Sequence, residues 1–513
     1  MLRMPPFSSP SSAHPAARVR KLPLQAHSLL AHAAAVHPGA AVVSLSALGR
    51  EHRSNYAELA RGAARRAGSL RALGVVAGDT LCSLGLSSID QLETLYASLS
   101  LGACTHLLNP QFEPAQALGV VRRSAPRWLL HDASTAAIAQ HLHGALEGTA
   151  GLLCTSDAWA GAPAAPGVDV DEESAALACY SSGTTGMPKT VVYSHRSTVL
   201  HAWACALPDA LNLSAADRVM PLMQLHHATA WGAPFVCPLV GAALVLVPPH
   251  RDPAQWYHWI EDQGITVLGA VSAHWQALAS HMRAHGLRFS SLQRTVVGGT
   301  RLAPELAQRI AGDLGVEVRH AWGMTETSPL ATVEVYRCGS LRLGHGKPVF
   351  GIELDVSGDA SPPLGELRVR GHWVAPHEGD PTDWLATGDL AARHADGGFE
   401  VLDRLADAVA RPGLLLSSAV VEHAARGVAG VADAALLALH DTANRSALAL
   451  VLSPGSDAAA TLARVAERLA SVFNGWRPDE LIEIDSFPYT PSVKVQKHLL
   501  RPRLLAALNT AAG

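Results

Sequence analysis

Hydroxyls, glycines and one lysine are concentrated in a single stretch, Tyr180-Ser181-Ser182-Gly183-Thr184-Thr185-Gly186-Met187-Pro188-Lys189-Thr190. Glycines let backbone N–H groups approach a ligand closely, Ser and Thr hydroxyls donate to phosphate oxygens, and the lysine adds a point charge. The chemistry this combination suits is polyphosphate binding. A polar surface turn uses the same residue types, so the loop alone leaves both readings open. Further along, charged groups stand in compact strings. Glu326 lies in His320-Ala321-Trp322-Gly323-Met324-Thr325-Glu326-Thr327-Ser328-Pro329, and Asp389 in Trp384-Leu385-Ala386-Thr387-Gly388-Asp389-Leu390. Asp403-Arg404 follows, and Lys494 falls in Pro488-Tyr489-Thr490-Pro491-Ser492-Val493-Lys494. Singly, these are a helix cap, a turn, a salt bridge and a surface lysine.

The elements that must carry these groups can be read from apolar spacing. Ala175 to Cys179 before the loop and Val191-Val192-Tyr193 after it make the loop a connection between two strands. A P-loop is thereby excluded: Pro188 occupies the slot of its second glycine, and a strand follows instead of a helix. Asn55 caps a predicted helix with Glu58 three residues later, and Gly74 ends it. Thr80 to Leu84 reads as a strand, Leu92 to Leu101 as a helix, and Gly102-Ala103-Cys104-Thr105-His106 as a turn. Helices near Trp256 to Gln263 and Ala273 to Ala284 flank the strand Ile265 to Val271, and Arg294 to Val297 runs into Gly298-Gly299-Thr300. This alternation predicts layered α/β sheets that bind a ligand at the strands' carboxyl edges. From Gly351 the pattern alternates every second residue, as in a small antiparallel β subdomain. The expected organisation is a leader at 1–21, a large N-terminal domain at 22–403, and a smaller, mobile α+β C-terminal domain at 404–513.

The chain has 513 residues, 16% of them charged and 48% hydrophobic, with a net charge of -4. That length requires more than one domain, and the charge gives nucleic acid no electrostatic footing. The seven scattered cysteines form no CxxC and read as buried thiols of a reducing, cytoplasmic compartment. The 26 histidines form no HExxH or paired Cys/His spacing. Residues 1–21 are rich in Pro, Ser and Ala and read as a disordered leader rather than a transit peptide. The apolar run Gly232 to Val247 is broken by Pro234 and Pro238, so no transmembrane segment is expected.

Taken together and in this order, the strings resemble the AMP-forming acyl-CoA synthetases of the adenylate-forming superfamily. Of two further matches, Leu107-Leu108-Asn109-Pro110 resembles an N-terminal signature of its medium- and long-chain fatty-acid branch, and His226-His227-Ala228-Thr229-Ala230-Trp231-Gly232 resembles its acyl-pocket motif. The resemblance implies ATP, Mg2+ and CoA, and a small-molecule fatty acid activated as acyl-AMP; a homodimer is left open. It implies that Ser181, Ser182, Gly183, Thr184, Thr185, Gly186 and Lys189 hold the phosphates. It implies that Gly299, Thr300, Trp322 and Gly323 flank the adenine, that Thr325 meets the α-phosphate, and that Glu326 is the metal ligand. Asp389 and Arg404 would bind the ribose, and Lys494 would bridge the acid and the α-phosphate. His227, Ala228, Trp231, Val271 and Gly298 would form the acyl pocket, with Gly413 on the CoA side. Lys494, Thr185, Glu326 and His227 are the implied catalytic groups.

Several slots depart from the family's pattern. Thr190 and Arg301 replace small residues beside the nucleotide, Ala406 and Ala410 replace charged hinge residues, and Pro412-Gly413 replaces a flexible pair. Val493 stands where a glycine precedes the catalytic lysine. Pro412 and Val493 restrict the backbone where the family's C-terminal domain rotates. The alternatives are a homologue that binds acyl chains or nucleotide without full turnover, and an adenylating enzyme with a non-CoA acceptor.

Overall fold

A computed structural model describes residues 22–46, 50–157, 159, 163–181, 187–336, 338–339, 344–357, 364–375, 383–411, 414–439, 445–489 and 495–511. The expected leader lies outside them. The Asn55 side chain accepts from the Glu58 N–H at 2.9 Å and starts the helix Tyr56–Ala72, as its spacing predicts. The stretch read as a turn after Gly102 is instead mostly the strand Cys104–Leu107, fully buried between two neighbours. Burial on both faces removed the alternation by which a strand is usually seen.

Two large sheets organise the N-terminal part. The six-stranded sheet has the order Gly151–Cys154, Trp128–His131, Thr80–Ser83, Cys104–Leu107, Ala175–Ser181, Lys189–Ser194. Its first five strands are parallel, and the last two form the antiparallel hairpin that carries the hydroxyl-rich loop. The nine-stranded sheet runs Lys347–Pro348, Thr332–Tyr336, Glu317–Trp322, Arg294–Val297, Val267–Ala270, Arg218–Pro221, Ala243–Leu246, Ala41–Leu45, Glu51–Asn55. Parallel pairing in its middle sets Val219, Val267 and Arg294 in one row, with Pro221, Gly269, Val296 and Arg319 in the next. One face of this sheet joins the core shared with the six-stranded sheet; the other packs on the helices Pro253–Asp262 and Ser272–His285.

The small antiparallel sheet predicted after Gly351 is present as Ile352–Ser357, Leu364–Gly371, Leu385–Arg393 and Phe399–Arg404. Beyond it, three strands (Val431–Ala438, Ser446–Leu452 and Glu480–Glu483) pack with the helices Ser418–Arg426 and Ala458–Val472 in a separate core. The helix Lys497–Ala511 packs through Leu500 and Leu504 on a further core formed with these strands. Among the described residues no helix is long and apolar enough to cross a membrane.

Candidate active site

The hairpin brings Ser181 and Lys189 opposite each other at the base of the hydroxyl-rich loop. Ser182, Gly183, Thr184, Thr185 and Gly186 lie outside the described residues, as do Gly413 and Lys494. The flanks of the loop are anchored: the Arg123 guanidinium donates to the Pro188 carbonyl at 2.8 Å. On the strand that leaves the loop, the buried Tyr193 hydroxyl donates to the Thr325 carbonyl at 2.7 Å. This bond ties the hairpin to the short turn Thr325–Thr327, so the loop and Glu326 are positioned by a shared contact.

Glu326 is 5% exposed, and among the described residues no hydrogen bond or ion pair reaches its carboxylate. Held at this turn, the carboxylate offers a hard oxygen ligand that fits Mg2+, which takes one or two protein carboxylates and completes its shell with phosphate oxygens and water. No group of three or more His, Cys, Asp or Glu forms an all-protein cage among the described residues. Gly323, three residues earlier, admits no side chain: a Cβ there would lie 1.5 Å from the Pro329 carbonyl oxygen.

Asp389 is buried at the end of the site, with one oxygen 2.9 Å from the Arg404 guanidinium and the other accepting from the Trp322 indole N–H at 3.1 Å. Both partners favour the ionised carboxylate and fix its plane. Trp322 therefore orients Asp389, a role its aromatic type alone did not signal. Arg301 does not turn into the site: its guanidinium lies 3.4 Å from Glu400 on the strand Phe399–Arg404. Thr300 accepts from the Ser272 N–H at 3.3 Å and steadies the turn at Gly299, whose φ of +72° suits a glycine.

Trp322 also walls a cavity of about 730 Å3, counted with its open mouth. Trp231, Gly298, Gly299 and Gly323 surround the end near Asp389, while Leu211, Leu213, Val219 and Val267 lie toward the other end of the strands. Every side chain lining it is apolar. Two of the expected pocket groups are here, Trp231 and Gly298, but His227, Ala228 and Val271 are not in its wall. The reason lies in the backbone. Ala228, Thr229, Ala230 and Trp231 have successive φ values of 38°, 46°, 47° and 56°, a left-handed turn that brings Ala230 and Trp231 to the cavity and leaves His227 exposed. Val271 instead packs near Gly299. His226 is buried beside the His227 ring at 4.4 Å, and burial pushes its imidazole well below its ordinary pKa. Leu211, Leu213 and Arg319 were missed by sequence reasoning, because only the fold brings their segments together.

Residues 30–377 match the model of the AMP-binding enzyme family. The chain is 33% identical to a medium-chain-fatty-acid–CoA ligase of Ectopseudomonas oleovorans, covering 93% of this chain and 95% of that one. It is 32% identical to a 3-methylmercaptopropionyl-CoA ligase of Ruegeria lacuscaerulensis, covering 95% and 98%. The fold is similar to that of an anthranilate CoA ligase solved with anthranoyl-AMP, with a TM-score of 0.83 at 22% identity and coverage of 95% and 99%. With a family model spanning more than half of its length and curated relatives matched nearly end to end, the chain belongs to the AMP-binding enzymes, among the AMP-forming acyl-CoA synthetases.

Proposed function

We propose that this protein activates a medium- or long-chain fatty acid with ATP, releasing pyrophosphate, and passes the acyl group from acyl-AMP to CoA. The observation that carries this reading is the cavity lined by apolar side chains that shares Trp322 with the Asp389–Arg404 pair. No lining side chain carries a charge, hydroxyl, amide or carboxyl group to pair with a second polar group of the acid, and such a lining suits an alkyl chain. Kinship alone does not choose the acid, since the relatives' names include both a fatty acid and a methylmercapto acid.

In this reading a carboxylate oxygen of the acid attacks the α-phosphorus as its bond to pyrophosphate breaks. Negative charge gathers on the phosphoryl oxygens, and donors set in advance stabilise it. Ser181, Thr184, Thr185 and Lys189 hold the β- and γ-phosphates, Thr325 the α-phosphate, and Asp389 both ribose hydroxyls. Glu326 holds Mg2+, which supplies positive charge to the polyphosphate. Lys494, at the C-terminal end, bridges the acid and the α-phosphate and orients attack. The boundary near Asp403 serves as the hinge. The thiol of CoA then attacks the acyl carbonyl, and AMP leaves.

A pyrophosphate-release panel over carboxylic acids, with and without CoA, tests this. Release with alkyl acids and thioester formation on adding CoA are expected. Release without thioester in CoA would leave adenylation standing and point to another acceptor. No release with any acid would support a binder without turnover.

A further inference from the structure

The apolar cavity has a defined end. Its sheet wall descends by rows, from Gly298 and Ala321, through Val296, Gly269 and Pro221, to Val219 and Val267. Rows two residues apart on a strand are ~6.6 Å apart, so three rows span about 13 Å. In the last row the apolar surface stops, because the neighbour of Val267 is Arg294, ion-paired with the buried Asp217. Across this end lies the turn from Leu207 to Leu213. Leu211 and Leu213 point inward and line the cavity, while Asn212 between them is exposed, with a left-handed φ of 53°.

This turn is fastened from behind. Arg319, 4% exposed, lies in the middle row of the same strands, yet its guanidinium does not face the cavity. It donates to the Pro208 carbonyl at 2.7 Å and the Ala210 carbonyl at 2.6 Å, and its Nε to Glu317 at 2.7 Å. Backbone bonds from Leu211 to the Cys205 carbonyl and from Asn212 to the Leu207 carbonyl, each 3.0 Å, complete the fastening. The Ala210 carbonyl, which would otherwise be buried unpaired, is satisfied in this position of the turn.

We propose that the Leu207 to Leu213 turn, held by Arg319, is the chain-length stop of this site and limits it to acids of about ten carbons. The length follows from the depth: an extended chain of single bonds advances about 1.2 Å per bond, so ~13 Å holds roughly ten carbons. This inference rests on the acyl-activation reading and narrows it to medium-length acids. Leu211 and Leu213 contact the chain's far end, and Arg319 is a positioning residue that acts through the turn.

The test compares acids from butanoate to hexadecanoate by pyrophosphate release and, without turnover, by the rise in melting temperature each produces. In the native sequence kcat/KM rises about four-fold per added carbon up to about ten, then falls. Leu213→Ala raises the ratio of tetradecanoate to octanoate activity about ten-fold, and Leu213→Phe moves the limit to shorter acids. Arg319→Met blurs the limit, while Arg319→Lys, which still donates to carbonyls, keeps it. Equal activity with hexadecanoate and decanoate, or a limit unmoved in folded Leu213 variants, overturns the proposal. If no acid releases pyrophosphate, the activation reading fails, but the melting data still decide the stop. A rise that peaks near ten carbons supports it, and a flat series overturns it.

Discussion

Around Trp322 the N-terminal sheets hold the site by apolar packing together with buried polar contacts: Asp389 is fixed by an indole and a guanidinium, Glu326 by a turn tied to Tyr193, and the cavity by apolar side chains. At the junction with the C-terminal part, and within that part directly behind it, the contacts are charged or polar. Asp403 accepts from the Ser418 N–H and hydroxyl, and the Lys497 ammonium lies 2.7 Å from Glu422 and 2.5 Å from the Ser418 hydroxyl. Arg501 reaches the Ala406 carbonyl at 3.2 Å and Asp407 at 3.3 Å. Close-packed apolar surface resists rearrangement, whereas a polar junction can exchange partners. On these grounds the cavity is expected to keep its shape and the junction to be where movement occurs.

Acid separates the two regions most strongly. His106, His195 and His274 are pushed down to about 4 by burial, and His201 to about 3; all four belong to the N-terminal part. Unfolded, they titrate near 6.5, so between that pH and about 4 the unfolded chain binds more protons. The stability from burying them neutral is complete above pH 6.5 and lost as pH falls, on the order of 3 kcal/mol for each one fully titrated. At the junction the sign reverses. Burial, opposed by Lys497, raises the Asp403 and Glu422 carboxyls, so the cost of their ionised forms is relieved on acidification. Limited proteolysis from pH 7 to 4 is expected to cut the N-terminal sheets before residues 418–511; the reverse order would break the comparison.

Lys494→Ala is expected to lower adenylation about 10³-fold, the scale of losing one transition-state cation or donor. Thioester formation from supplied acyl-AMP should survive, because the N-terminal groups remain in place. Equal loss of both steps would show that the two regions do not divide the work. Lys497→Met leaves Glu422 buried without its cation, and about 3 kcal/mol of stability should be lost. Denaturant unfolding should then show a first transition in the C-terminal part; a single unshifted transition would deny the junction its role. The smallest effect is expected at Ala228, whose φ of 38° is strained for a side chain. Ala228→Gly should stabilise the protein by about 1 kcal/mol, and a lowered melting temperature would count against the left-handed turn.

Local signals made much of this legible. The Asn55 cap, the strand, loop and strand around Lys189, and the alternation after Gly351 each depend on neighbours in sequence. The strand Cys104–Leu107 was obscured because both of its faces are buried. The wall of the cavity was not legible at all: Leu213, Val219, Val267 and Val296 meet only through sheet register. His227 and Ala228 were expected in that wall, and a backbone turn with no local sequence signal takes them out of it. Lys497 carried no local signal, since nothing near it in sequence announces Glu422 and Ser418 as partners.

The central claim is that an alkyl acid held in the apolar cavity is adenylated beside Asp389 and Glu326. It is tested most directly by mixing enzyme, ATP and Mg2+ with decanoate in the absence of CoA and measuring pyrophosphate in the first turnover. A burst equal to the enzyme concentration, absent without the acid and absent in Glu326→Gln, is the result predicted. A folded protein that binds decanoate but releases no pyrophosphate would contradict the account.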